Sequence, residues 1–303
     1  MRSRTPRTLT TALCGALVAV TALAACAPPP EEAPTATEAP GPVVEATGPG
    51  GQAPTFTYPV PLDLDEPFTE VLWEGDGDPL VDGAPVLVRI YSEDGRDASV
   101  LRDDFASVPQ SYLLAPEAIG SDLYATLSGA TVGSRILHVV ETDDVPLVMS
   151  IDVLPTRAVG EPVSPGDGLP SVSHGPDGSP TVTIPAEVPA PANAVVHQII
   201  RGTGDQVVAG QQVVIRYVAV KWSTGEVIDT TWGADLLPET VTIGLDQLIE
   251  GVEDGLEGLF VGSQVMLVVP PGQAFGPSGN ELSTETLVYV VDILGTSPVP
   301  PPA

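Results

Sequence analysis

The sequence predicts an α+β protein with two domains of one fold, each an antiparallel β-sheet wrapped around one short helix. Three observations carry this. Short β-rich runs are broken by Gly and Pro. In the second copy Asp246 to Leu256 is the one helical candidate, with Leu248, Ile249, Val252 and Leu256 at helical spacing and Asp246 as a candidate cap. The strand-forming runs also recur at a separation above one hundred residues, which means duplicated domains rather than a solenoid. The 34 Pro and 31 Gly sit beside 43% hydrophobic residues, so they mark turns and linkers in a chain that can still build cores.

The N-terminus comes first. Arg2, Arg4 and Arg7 precede an apolar run from Leu9 to Leu23. That run is shorter than the ~18 residues a spanning helix needs, so residues 1–25 read as a signal peptide. It closes on Leu23-Ala24-Ala25-Cys26, which resembles the bacterial lipobox. The resemblance implies lipidation of Cys26, a diacylglyceryl anchor with two chains, and an address on the extracytoplasmic face of the cell membrane. Ordinary secretion is the alternative. Residues 26–54 are rich in Pro, Ala, Glu, Thr and Gly, and read as the lipidated Cys followed by a disordered tether.

Globular character begins near Phe56. The expected divisions are a first domain over 55–155, a Pro/Gly-rich linker over 156–190, a second domain over 191–296 and a Pro-rich tail over 297–303. The run Val86-Leu87-Val88-Arg89-Ile90-Tyr91 matches Val213-Val214-Ile215-Arg216-Tyr217-Val218 at an offset of 127. Val132-Gly133-Ser134 matches Val261-Gly262-Ser263 at 129, and the run ending at Asp152-Val153-Leu154 matches Asp292-Ile293-Leu294 at 140. The last step means that the first copy lacks eleven residues between its final two strands.

Charge excludes one class of partner. With 11 Lys+Arg against 40 Asp+Glu the net charge is −29, and Lys221 is the sole lysine, so no basic face exists to bind nucleic acid. The three histidines, His138, His174 and His197, lie far apart without Cys at ligand spacing, so no metal is expected. Asp76-Gly77-Asp78 reads as a turn, because Pro79 and Leu87 stand where a calcium loop needs ligands. No nucleophile elbow, zinc-protease helix or phosphate loop occurs, and no cofactor is expected.

Six motifs in order, between about Val195 and Gly295, resemble the FKBP-type peptidyl-prolyl isomerase domain. They are Gly210 to Tyr217 (G-x-x-V-x-V-x-Y), Gly225 to Thr231 around Ile228-Asp229, Leu248-Ile249-Glu250-Gly251-Val252, Val261-Gly262-Ser263, Pro270 to Gly276 around Phe275, and the closing run Thr286 to Leu294. The chain as a whole is similar to tandem-domain lipoproteins of this family from high-GC Gram-positive bacteria. The resemblance implies rotamase activity without cofactor or metal. It implies catalytic roles for Tyr217, Asp229 and Phe275, and a proline pocket made by these with Ile228, Val241, Leu248, Ile249, Val252 and Tyr289, in which the Ile249 N–H meets a substrate carbonyl. The residues suit that chemistry. Twisting an amide loses resonance worth ~18–20 kcal/mol, and an apolar pocket that strips water favours the twisted state without any nucleophile.

Several positions depart from the family pattern. Ile228 stands where an aromatic is usual, Val252 where Trp is frequent, and Phe275 where Tyr is usual. The first copy is degenerate: Ile90 replaces the tyrosine, Leu101-Arg102 stand at Ile228-Asp229, and the flap is missing. The expected function is a lipid-anchored isomerase assisting the folding of Pro-containing exported polypeptides. The alternatives are a non-catalytic binding module or chaperone on the same scaffold, and an envelope spacer.

Overall fold

The computed structural model describes residues 44–299. The signal peptide, Cys26 and most of the tether therefore lie outside the described residues, as do 300–303. Alternation along the strands sets the two faces of each sheet. In β4 (Pro85–Asp94), Val86, Val88 and Ile90 face one core while Leu87 faces the other way. In β13 (Gln212–Lys221), Val213 and Ile215 do the same, with Val214 opposed.

Two antiparallel sheets result. The first contains β3 (Phe68–Trp73), β4, β5 (Ser99–Asp103), β6 (Gln110–Leu113), β7 (Arg135–Thr142) and β8 (Val145–Leu154). Its order is β3-β7-β8-β4-β5, with β6 also paired to β4. The second contains β9 (Glu161–Pro162), β12 (Val195–Arg201), β13, β14 (Val227–Thr230), β15 (Glu239–Thr242), β16 (Gln264–Val269) and β17 (Leu287–Thr296). Its order is β9-β12-β16-β17-β13-β14, with β15 also on β13. Apart from β9, the two orders are the same.

The cores repeat position by position. Val86, Val88, Leu127, Ile136, Ile151 and Val153 are buried in the first half; Val213, Ile215, Leu256, Val265, Val291 and Ile293 are their counterparts in the second. Helices cover this face: α1 (Pro116–Ile119) and α2 (Ser121–Leu127) in the first half, α3 (Glu250–Leu256) in the second. The first half thus has two short helices in place of the expected one. α3 also starts later than the helical spacing suggests. Asp246 has a φ of +53° and caps nothing, because the chain before α3 is a turn closed by Glu253.

The tether and the linker are the larger corrections. β1 (Glu45–Thr47) pairs with β2 (Thr55–Thr57), and β10 (Ser171–His174) pairs with β11 (Pro180–Thr183). Each hairpin lies over the outer face of the next sheet in the chain. Phe56 and Ala46 pack on Leu137, Val139 and Val148, whereas Val172 and Val182 pack on Met266, Val268 and Val288. The disordered reading therefore does not hold for residues 45–54, nor the linker reading for 171–183. The structural repeat includes a hairpin cover that the strand motifs alone do not reveal.

The halves meet through equivalent positions. Leu87 and Leu154 of the first cluster with Val214 and Leu294 of the second, joined by Val108. These are the same two sites in each repeat, so the contact has pseudo-two-fold character. Arg89 crosses it, its Nη2 donating to Thr296 O at 2.7 Å.

A further paired position differs chemically. In the first half Arg135, 1% exposed, forks onto Asp152 and also donates to Gln52 O at 2.8 Å. In the second, Gln264 donates to Asp292 Oδ1 at 2.7 Å and Ala158 N–H to Oδ2 at 2.8 Å. Burial, the largest influence, pushes the Asp292 carboxyl above the ordinary carboxylate range, against the hydrogen bonds and the charges of His174 and Arg216. Between the ordinary value and the raised one, the folded chain keeps a proton that the unfolded chain has released. This site's contribution is therefore complete at low pH and is lost as pH rises through the raised value. Asp292→Asn is expected to flatten that decline in urea midpoints taken from about pH 4 to about pH 8; parallel curves for the two proteins would contradict it.

Candidate active site

The face of β13 that carries Ile215 also carries Tyr217, two residues on, and there the second half opens into a cavity of about 410 Å³. Its wall is Ile215, Tyr217, Val241, Leu248, Ile249, Val252, Phe275, Tyr289 and Val291, with Asp229, Glu239, Asp246 and Gln247 among the lining residues. The floor is fixed by close packing of α3 on β16. A Cβ at Gly251 would stand 2.5 Å from Val269 Cγ1, and one at Gly255 2.5 Å from Leu267 Cδ2, so glycine lets the helix sit directly on the strand.

The polar edge is built from a tyrosine and a carboxylate. Tyr217 Oη donates to Asp229 Oδ2 at 2.8 Å, and the other Asp229 oxygen accepts the Thr230 N–H at 2.8 Å. Thr231 locks the two strands, its Oγ1 accepting the Tyr217 N–H and its N–H donating back to Tyr217 O. Burial, then the bond to Asp229, raises the Tyr217 hydroxyl well above the ordinary tyrosine value. Burial pushes Tyr289 up to about 12. Both hydroxyls therefore stay protonated, as donors, at neutral pH. The two rings lie 6.1 Å apart at 44°.

Ile249 precedes α3 in extended conformation. Its carbonyl accepts from Val252 and Glu253, while its own N–H donates to no protein acceptor among the described residues. Glu253 reaches back to accept the Gly244 and Leu245 N–H groups, and Gln247 Oε1 accepts the Thr242 N–H at 2.7 Å. These two side chains hold the loop that leads into Ile249. Phe275 comes from the connection 270–286, which contains two short 3₁₀ turns, Pro271–Gln273 and Gly276–Ser278.

Eight of the nine expected pocket residues are thus together: Tyr217, Asp229, Val241, Leu248, Ile249, Val252, Phe275 and Tyr289. Ile228 is not among them. The β13–β14 register passes from Ala219–Asp229 to Val220–Val227, leaving Ile228 as the extra residue of a bulge. Glu239 and Gln247 escape sequence reasoning, because an acid or amide in a Pro- and Gly-punctuated stretch reads simply as solvated surface, and Asp246 reads there as a helix cap rather than as a lining residue.

The first half has the same bulge, from Ser92–Arg102 to Glu93–Val100, but different chemistry. Arg102 occupies the place of Asp229, pairs with Asp104 at 2.8 Å and donates to Tyr112 Oη at 3.0 Å. Ile90 supplies no hydroxyl. β7 and β8 join through Asp143 and Asp144, both with positive φ, in the two-residue turn that favours a tight hairpin, so no flap exists.

The model of the FKBP-type peptidyl-prolyl cis-trans isomerase family matches residues 204–294. A probable FK506-binding protein of Corynebacterium glutamicum is 37% identical over 117 residues, covering 38% of this chain and 96% of the relative. An FK506-binding protein of Streptomyces anulatus is 34% identical over 119 residues, covering 38% of this chain and 94% of the relative. The crystal structure of FkpA from Escherichia coli aligns over 45% of this chain and 54% of its own, at 23% identity and a TM-score of 0.32.

Proposed function

This chain belongs to the FKBP-type peptidyl-prolyl cis-trans isomerase family, and from that premise we propose that its second half binds X-Pro segments of exported polypeptides in the Tyr217–Asp229 cavity and speeds their isomerisation. The observation that carries the reading is the convergence of Tyr217, Asp229, Tyr289 and Phe275 on one cavity inside the matched segment, with aromatic and aliphatic walls and an acidic edge. Proline enters among the rings and leaves water. The twisting amide loses resonance where water is excluded, a neighbouring carbonyl takes the Ile249 N–H, which has no acceptor among the described residues, and the closed Tyr217–Asp229 pair borders the site. Nothing in this sequence of events calls for a metal or a covalent intermediate. The names of the two bacterial relatives suggest FK506 as a competitor for the same cavity.

The first half is a degenerate FKBP-like domain in this reading, with a structural or partner-binding role. Ile90, Arg102 and the two-residue turn at 143–144 support this, as does its apolar contact with Val214 and Leu294. The isomerase is tested by measuring exchange of a Leu-Pro peptide with the full chain at catalytic concentration; a rate equal to buffer rejects it.

Anchoring rests on the sequence Leu23-Ala24-Ala25-Cys26. Among the described residues, no helix is long and apolar enough to cross a membrane. Lipidated Cys26 would hold the chain at the extracytoplasmic face, where exported clients emerge. Cys26→Ala is expected to shift the protein from the membrane fraction to the medium, or to leave the leader uncleaved. Equal membrane retention of wild type and variant would reject lipid anchoring.

A further inference from the structure

The mouth of the cavity carries three carboxylates from three separate segments: Asp229 on β14, Glu239 on β15 and Asp246 on the loop before α3. All three residues are exposed. None takes part in an ion pair among the described residues, where Asp94, Asp104, Asp152, Asp78 and Glu226 hold the paired cations. No Lys or Arg lines the cavity. Asp229 at least accepts hydrogen bonds from Tyr217 and Thr230; Glu239 and Asp246 have no such partner among the described residues. Glu239 also acts on the site itself, since its charge is one of the influences raising the Tyr217 hydroxyl.

An apolar wall beside uncompensated charge of one sign focuses the field into the cleft. The ligand site is the cavity with its aromatic and aliphatic walls; the carboxylates decide which residues can flank the proline that fills it. The geometry points to a preference for proline flanked by Lys or Arg, and against proline flanked by Glu or Asp. This rests on the isomerase reading and adds a substrate class to it. A basic flanking side chain lays its methylenes along the mouth and its cation among Asp229, Glu239 and Asp246, whereas an acidic one meets like charge.

The test uses the full chain and three peptides that differ only in the residues on either side of one proline: Lys, Leu or Glu at both. Cis–trans exchange is followed by NMR without a coupling protease, so that the protease's own specificity does not enter. The expected order of kcat/KM is Lys above Leu above Glu, with Lys over Glu by about tenfold at low salt, falling to about twofold near ~1 M salt as the exposed charges are screened. In Glu239→Gln/Asp246→Asn, which leaves Asp229 charged, the Lys-to-Glu ratio should fall to about threefold. A general loss of pocket structure would slow all three peptides in proportion and leave that ratio intact, so an unchanged ratio in the variant overturns the proposal. Equal acceleration of all three peptides by the wild type, or a ratio insensitive to salt, also overturns the preference while leaving the isomerase standing. Failure to accelerate any of the three overturns both.

Discussion

Replacing Arg135 by Ala is expected to destabilise the protein by about 3–5 kcal/mol, the cost of leaving a buried carboxylate without its counter-charge. Asp152, 6% exposed at its side chain, would lose both guanidinium bonds. Gln52 O would lose its donor, and the Trp73 ring the cation 4.7 Å from its centre. The second half suggests a control, because Gln264 stands at the equivalent position and satisfies Asp292 without charge. Arg135→Gln should therefore recover part of the loss. Equilibrium urea unfolding measures both variants; equal midpoints for wild type and Arg135→Ala would show that the pair contributes nothing. A loss this large in the first half should also reach the second, since Leu87, Leu154 and Arg89 hold Val214, Leu294 and Thr296. One cooperative transition is the expected form.

The largest expected effect on activity comes from Tyr217→Ala, which removes one cavity wall together with the hydroxyl held by Asp229. Losing one ring contact and one hydrogen bond in the transition state should lower kcat/KM by about tenfold or more, with each tenfold corresponding to about 1.4 kcal/mol. Asp229→Ala should act in the same direction and less strongly, because it leaves the ring in place. Far-ultraviolet circular dichroism must first show both variants folded. Ile90→Ala, at the equivalent position of the first half, serves as the comparison: it opens a packed core and should lower stability without the same specific loss of rate.

Much of this is legible in the sequence because sheet cores repeat. Val86, Val88 and Ile90 against Val213, Ile215 and Tyr217 announce the duplication, and the stepwise offsets locate the lost flap that Asp143 and Asp144 now close. The cavity is legible where residue type and motif order agree, as at Tyr217, Asp229, Leu248-Ile249 and Phe275. Other features depend on contacts that no local pattern encodes. The two hairpins offer few large apolar side chains, Phe56 in one and Val172 and Val182 in the other, in stretches dominated by small and polar residues, and gain order from the sheets they cover. Ile228 keeps the expected place in its motif, yet a bulge takes it out of the cavity. Asp246 has the composition of a helix cap, but Glu253 holds the turn before α3 by binding its backbone from the other side.

If the Tyr217–Asp229 cavity is where this chain isomerises proline, loss of the Tyr217 side chain must slow exchange. The most direct measurement is NMR exchange spectroscopy of a Leu-Pro peptide with substoichiometric full-length protein, comparing wild type, Tyr217→Ala and buffer. The expected result is exchange faster than buffer with wild type and slowed about tenfold toward buffer with folded Tyr217→Ala. Wild-type exchange no faster than buffer, or acceleration undiminished in Tyr217→Ala, would contradict it.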